Sequence, residues 1–347
     1  MKKVLGLVLC LCMLVVSVSA LAQAPAEQPS ELLAEGYHLA ASTVLDDLNI
    51  AYMPNYASLW SVVTGVRKGF FVDEGLNVHL VEFADGPTII AAMESGSIDM
   101  GYIGPGAHKL CIQGRAKIFM LSQIGNADAV LVRRSRGINT YADLKGKKIG
   151  YASGTSSEMI LQYALEEAGL TMDDIQPFEM EVSSLVTAMI SGSIDACAAW
   201  SPNTGTIIAS APDDIYALCS NSTFANRSVS PASWIVLSSY YEGKEEIVQR
   251  FARALYRAMD YGSDPAHFDE VAGYVAEQCG VDKEVALAQV GDADWPDSAT
   301  IVKGAQDGTI EGYYKVQQDA FINSGAVAEA VPVTDYVLFN VMIDAAK

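Results

Sequence analysis

One eight-residue pattern occurs twice in this chain. Residues 92–99 read Ala-Met-Glu-Ser-Gly-Ser-Ile-Asp and residues 188–195 read Ala-Met-Ile-Ser-Gly-Ser-Ile-Asp, so the copies differ only at Glu94 and Ile190. Each copy closes a helix-like run, turns at a glycine (Gly96, Gly192) and enters a short apolar run. The apolar run is Met100 to Ile103 in one copy and Ala196 to Trp200 in the other, and it breaks at Gly104-Pro105-Gly106 or Ser201-Pro202-Asn203. The copies start 96 residues apart. Solenoid repeats recur at roughly 20–50 residues, so this spacing excludes a repeat array. It suits two α/β lobes that use the same helix–turn–strand unit and enclose a cleft.

The N-terminus reads as a secretory signal. Lys2 and Lys3 precede an unbroken apolar stretch from Val4 to Val16, and Ser19-Ala20-Leu21-Ala22 supplies a small-residue cleavage site. The stretch is shorter than the roughly 20 apolar residues of a membrane span. Residues 1–22 are therefore assigned as a signal peptide and 23–43 as a leader. Cleavage after Ala22 leaves 325 residues carrying 20 basic and 42 acidic side chains, a net charge of −22. Such a chain repels nucleic acid and anionic membranes. Half of it is apolar and 18% is charged, so the acidity does not reflect disorder.

Catalytic and metal-binding patterns are missing from the sequence. His38, His79, His108 and His267 have no ligand spacing, and no nucleophile elbow or phosphate loop is present. Cys111, Cys197, Cys219 and Cys279 form no C-x-x-C pair. Export permits disulfides among them, while buried free thiols fit the apolar surroundings of Cys111 and Cys197. No cofactor, metal or catalytic residue is expected.

Strand signals lie at Leu48–Tyr52, Val78–Phe83, Ile118–Leu121 and Ala129–Arg133, and these are expected to form one sheet. Ile149–Tyr151, Pro177–Val182, the run after Asp195 and Ile215–Leu218 are expected to form a second. Trp234–Leu237 reads as the chain re-entering the first lobe, with mostly helical sequence after Glu242. The expected division is 44–131 with 236–347 as one lobe and 132–235 as the other. The crossings are expected near Val132–Arg136 and Ser228–Trp234.

Several ordered motifs carry a family resemblance. Ala142-Asp143-Leu144-Lys145-Gly146-Lys147-Lys148-Ile149-Gly150 is followed by Ser153-Gly154-Thr155-Ser156 and by Glu167-Ala168-Gly169-Leu170. Upstream lie Gly69-Phe70-Phe71-Val72-Asp73-Glu74-Gly75-Leu76 and the segment Glu94 to Gly104, and downstream the segment Asp195 to Pro202. Together these resemble the periplasmic binding proteins of nitrate/sulfonate/taurine-type ABC importers. The resemblance implies an α/β two-lobe type II periplasmic binding protein fold, with mixed sheets flanked by helices and two hinge crossings. It implies a monomer that hands a small ligand to an ABC permease and its ATPase, and it leaves the ligand open. An enzyme built on the same lobes is the alternative class.

Ligands in open α/β sheets sit beyond the carboxyl ends of the strands. The candidates at such ends are Asn55 and Tyr56, Asp85 and Gly86, Gly104 and Pro105, and Ser153, Gly154, Thr155 and Ser156. Asn126, with Asp128 beside it, closes a further loop; an ordinary turn is the competing reading. Trp200 and Trp234 are assigned to the cleft wall, with core packing as their alternative. The hydroxyls of Thr155 and Ser156 also suit plain helix caps. Free N–H groups at the two helix starts favour a taurine-like or alkyl-sulfonate-like anion or zwitterion. A flat heteroaromatic, such as a pyrimidine precursor, stacked between Tyr56 and Trp200 is the rival.

Overall fold

A computed structural model describes residues 44–226 and 228–347. The expected signal peptide and leader lie outside them. The chain forms two mixed sheets flanked by helices. Strands β1 (Asp46–Tyr52), β2 (Leu76–Glu82), β3 (Met100–Ile103) and β4 (Lys117–Gly125) come first, then β5 (Asp128–Arg133), β6 (Lys148–Tyr151), β7 (Gln176–Glu179), β8 (Ala196–Trp200), β9 (Ile215–Ser220), β10 (Pro231–Val236) and β11 (Ala293–Asp294). The first sheet runs β11-β4-β10-β3-β1-β2 and the second β7-β6-β8-β5-β9.

The two sheets share one plan. A central strand pairs in parallel with two neighbours, β1 with β2 and β3, and β6 with β7 and β8. One antiparallel strand then joins each set to an outer strand. It is β10 between β3 and β4, and β5 between β8 and β9. Each antiparallel strand arrives directly from the other sheet.

The repeated octapeptide builds the equivalent corner of each sheet. Helices Gly86–Glu94 and Val182–Ser191 end before glycines with φ of 79° at Gly96 and 74° at Gly192, the left-handed region that glycine tolerates. Met93 and Met189 are buried beneath these helices. The Asp99 carboxylate accepts the Asn49 N–H at 2.8 Å and Asp195 accepts the Lys148 N–H at 3.0 Å. In each case the aspartate's own N–H donates back to the same residue's carbonyl. This reciprocal clamp docks β3 against β1 and β8 against β6.

Two expectations about the sheets are corrected. Ala129–Arg133 does not complete the first sheet; as β5 it pairs with β8 and β9 in the second. The first crossing therefore falls at Asn126-Ala127, ahead of Val132–Arg136. Residues 231–235, assigned to the second lobe, pair with β3 and β4 in the first sheet as part of β10. The physical reason is that β4 runs almost straight into β5. A two-residue gap between apolar strands reads as a hairpin in sequence.

The C-terminal helices cover the first sheet. Helix Glu245–Gly262 buries Val248, Phe251, Leu255 and Met259 on one face. Phe251 stacks on Phe71 at 4.8 Å and meets Trp234 edge-on at 5.9 Å. The second sheet is packed on both faces by smaller apolar clusters. Cys111, Cys197, Cys219 and Cys279 are all free thiols, the first three buried.

Candidate functional site

A narrow cavity, open to solvent at its rim, lies where the strand ends of both sheets face each other. Its wall includes Asn55, Asp85, Gly86, Gly104 and Pro105 from the first sheet's side. Thr155, Ser156 and Trp200 line it from the second.

Five expected residues lie elsewhere. Trp234 is fully buried in mid-sheet and packs on Tyr102 at 5.8 Å, because it sits inside β10 and not at a strand end. Tyr56 is buried against Trp295 at 5.1 Å. Its N–H donates to Gln289 Oε1 at 3.0 Å, so Tyr56 holds a lining residue in place. Asn126 is exposed, and its N–H anchors the Asp292 carbonyl at 2.8 Å. Ser153 and Gly154 also lie outside the lining.

The lining also contains residues that strand-end reasoning missed: Tyr102, Gln123, Ser201, Ser230, Gln289 and Asp292. Asp128, weighed against a plain turn, lines it too. Asp128 is buried. Its carboxylate accepts the Ser156 hydroxyl and the Asn221 amide, the latter at 2.9 Å, while its own N–H donates to Asn221 Oδ1 at 2.6 Å. Burial pushes the Asp128 carboxyl above its ordinary value, those two hydrogen bonds oppose the rise, and the charge of Asp292 adds to it. Burial likewise raises Asp292, against a hydrogen bond from Ser201. The Gln123 amide donates to the Tyr102 hydroxyl, and its Oε1 has no hydrogen-bond partner.

Each helix start is capped from within the chain. Asp85 caps its own helix, accepting the Thr88 N–H at 2.9 Å. The Thr155 hydroxyl donates to the Ala152 carbonyl at 2.7 Å and accepts the Ser157 N–H at 3.2 Å. Ser156 donates to Asp128, and Ser157 donates to the Ala198 carbonyl at 2.7 Å. Glu158 accepts the Gly154 N–H at 2.8 Å. The hydroxyls of Thr155, Ser156 and Ser157 are thus used inside the protein. Among the described residues, no Lys, Arg, His or Cys lines the cavity. Among the described residues no group of three or more His, Cys, Asp or Glu side chains converges to hold a metal ion.

Contacts across the cleft hold the cavity shut. Lys109 pairs with Glu158 at 2.9 Å, both side chains about one-fifth exposed. Gly106 lies directly against the Thr155–Ser156 peptide: a Cβ there would sit 2.0 Å from the Thr155 carbonyl carbon. The Gly106 turn is itself braced from below. Gln317 Nε2 donates to the Pro105 carbonyl at 3.0 Å, so its Oε1 must accept a proton from His108 Nδ1, 2.7 Å away.

Comparison with known proteins agrees with this architecture. The family model described as "NMT1/THI5 like" matches residues 58–267. A Brucella abortus protein named only as a binding protein is 32% identical over 291 residues, covering 84% of this chain and 90% of that one. The alkanesulfonate-binding protein SsuA from Xanthomonas axonopodis pv. citri, solved bound to MOPS, superposes with a TM-score of 0.64 at 23% identity, over 84% of this chain and 98% of that one. The desulfurization enzyme DSZB has the same fold, with a TM-score of 0.61 at 16% identity over 87% of this chain and 99% of that one. The chain belongs to the NMT1/THI5-like family.

Proposed function

We propose, on the premise of that membership, that the chain is an extracytoplasmic solute-binding protein that delivers a small molecule to the permease of an ABC importer, whose ATPase drives uptake. The carrying observation is one cavity walled by the facing ends of both sheets and shut by contacts that exist only when the sheets approach. Gly106 against Thr155 and Lys109 with Glu158 both break if the sheets swing apart. A receptor must close on its solute and reopen to release it, and two chain crossings between the sheets permit that motion. The signal-like N-terminus fits a periplasmic location.

Catalysis on the same fold is the second class, because DSZB shares it. The lining argues against that class here. It has hydroxyls and carboxylates, but among the described residues no Cys, His or Lys lines it to serve as an activated nucleophile or its base. Within the receptor reading, the lining turns away from a bare sulfonate, whose charge would face Asp85, Asp128 and Asp292. The amine end of a zwitterion, or a nitrogen heterocycle against Trp200, suits it better.

Small-angle scattering tests closure. The protein is stripped of solute by unfolding and refolding, then given back the material it released. The reading requires the radius of gyration to fall on re-addition. Identical scattering curves with and without the solute, at saturating concentration, would count against a closing receptor.

A further inference from the structure

We propose that the cavity selects a small organic cation whose charged end is a flat N–H donor, of the amidinium or guanidinium type. The proposal rests on the solute-receptor reading and specifies its ligand. Three carboxylates, Asp85, Asp128 and Asp292, line one small cavity, and among the described residues no Lys, Arg or His lines it. An anion would enter against all three charges, at separations where screening by water is reduced. A cation would be attracted by all three.

The donor shape follows from Asp128. Its Oδ1 accepts from Ser156 and its Oδ2 from Asn221, so both oxygens are fixed in direction. A carboxylate has about four lone-pair sites. One internal bond on each oxygen leaves the other positions for a ligand, and two parallel N–H groups match them bidentately. Such a pair is what a planar amidinium or guanidinium presents. A sulfonate presents only acceptors.

A second, independent feature also points to a ligand. Gln123 is almost fully buried and lines the cavity, yet one atom of its amide has no partner. Tyr102 occupies the other atom. Either orientation of the amide leaves one polar atom unpaired, and a buried unpaired polar atom is costly. With Oε1 unpaired, the missing partner is an N–H or O–H donor. Trp200, at the end of β8, supplies an aromatic wall against which a flat cation gains further attraction. Asp85 and Thr155 each pair one N–H at the start of their own helix, so fewer donors there are left for an anion.

The test uses probes that share a skeleton and differ in charge, titrated by calorimetry into the full-length mature protein stripped of solute. Benzamidine, benzamide and benzenesulfonate form one set; ethylguanidine, taurine and ethanesulfonate form the other. In at least one set the cation is expected to bind at least tenfold more tightly than the sulfonate. Asp128→Asn should remove most of that preference. Because Asp128 also accepts two internal hydrogen bonds, Asp85→Asn and Asp292→Asn serve as parallel variants. Asparagine retains the helix cap at position 85 and the side-chain shape at 292. Each should weaken the cation at least threefold and weaken it more than benzamide. Tighter sulfonate binding, or a cation preference untouched in all three variants, would overturn the proposal. Where no probe binds, the solute released from natively purified protein decides. A compound with an amidine or guanidine group and no sulfonate supports the proposal, and any other compound overturns it. A solute without such a group that still drives closure leaves the receptor reading standing, whereas absence of any closing solute removes both.

Discussion

Gly106 is the residue on which closure turns. A methyl group there would overlap the Thr155–Ser156 backbone, with 2.0 Å to the carbonyl carbon and 2.4 Å to the Ser156 nitrogen, and neither is a flexible side-chain end. Gly106→Ala should therefore cost the closed state and spare the separated lobes. Because apparent affinity falls with the fraction of binding-competent molecules, solute affinity should drop tenfold or more, while the melting temperature without solute stays within about 2 °C. Calorimetry and thermal melts measure the two quantities. His108 gives a pH test at the same scale. It is fully buried, donates through Nδ1 to Gln317, and leaves Nε2 without a partner, so it folds neutral. Burial lowers its pKa from 6.5 to about 4. The unfolded chain binds the proton first as pH falls, so this contribution is complete above about pH 6.5 and is lost toward pH 4. One pKa unit corresponds to about 1.4 kcal/mol, so the His108 contribution should be about 2 kcal/mol smaller at pH 5 than at pH 7.5. Comparing denaturation of wild type and His108→Gln at the two pH values isolates it. The Gly-Pro-Gly turn was legible in sequence because only such residues allow close backbone approach. Gln123, Gln289 and Asp292 were not, because nothing local marks a polar residue as facing a cavity. Tyr56 and Trp234 misled because an aromatic beside a strand suits core and cleft alike.

The repeated helix–turn–strand unit sets the expectations for single elements. Gly192 has φ of 74°, and an added Cβ would meet nothing nearer than the Arg136 guanidinium at 3.9 Å. The cost of Gly192→Ala is therefore backbone strain alone, on the order of 1 kcal/mol. Melting should fall by about 2–4 °C with solute affinity unchanged, since the turn lies outside the cavity. A thermal melt paired with calorimetry checks both, and lost affinity at unchanged stability would mean that the turn serves the site. The octapeptide was readable because its residues recur for local reasons: a buried methionine, a left-handed glycine and a backbone-clamping aspartate. Membership of β5 and β10 was not readable. Both are short apolar strands whose partners are set by distant segments, and neither sequence encodes which sheet will receive it.

At the scale of the molecule, two sheets of one plan face each other across a cavity that both help to line. The family resemblance and the paired octapeptides made that architecture accessible from sequence, since two copies of one unit at long spacing leave few other solutions. The cavity's charge was not accessible. Asp128 and Asp292 lie far apart in sequence and approach only when the chain crosses from β4 to β5 and the C-terminal segment returns beside β4. The central claim is that this chain captures a solute and releases it unchanged. Mass spectrometry of natively purified protein, followed by incubation with an excess of the eluted compound, tests that claim most directly. The account predicts one small molecule per chain, recovered chemically intact after prolonged incubation. A compound steadily converted to a product, or protein that neither carries nor rebinds any small molecule, would contradict it.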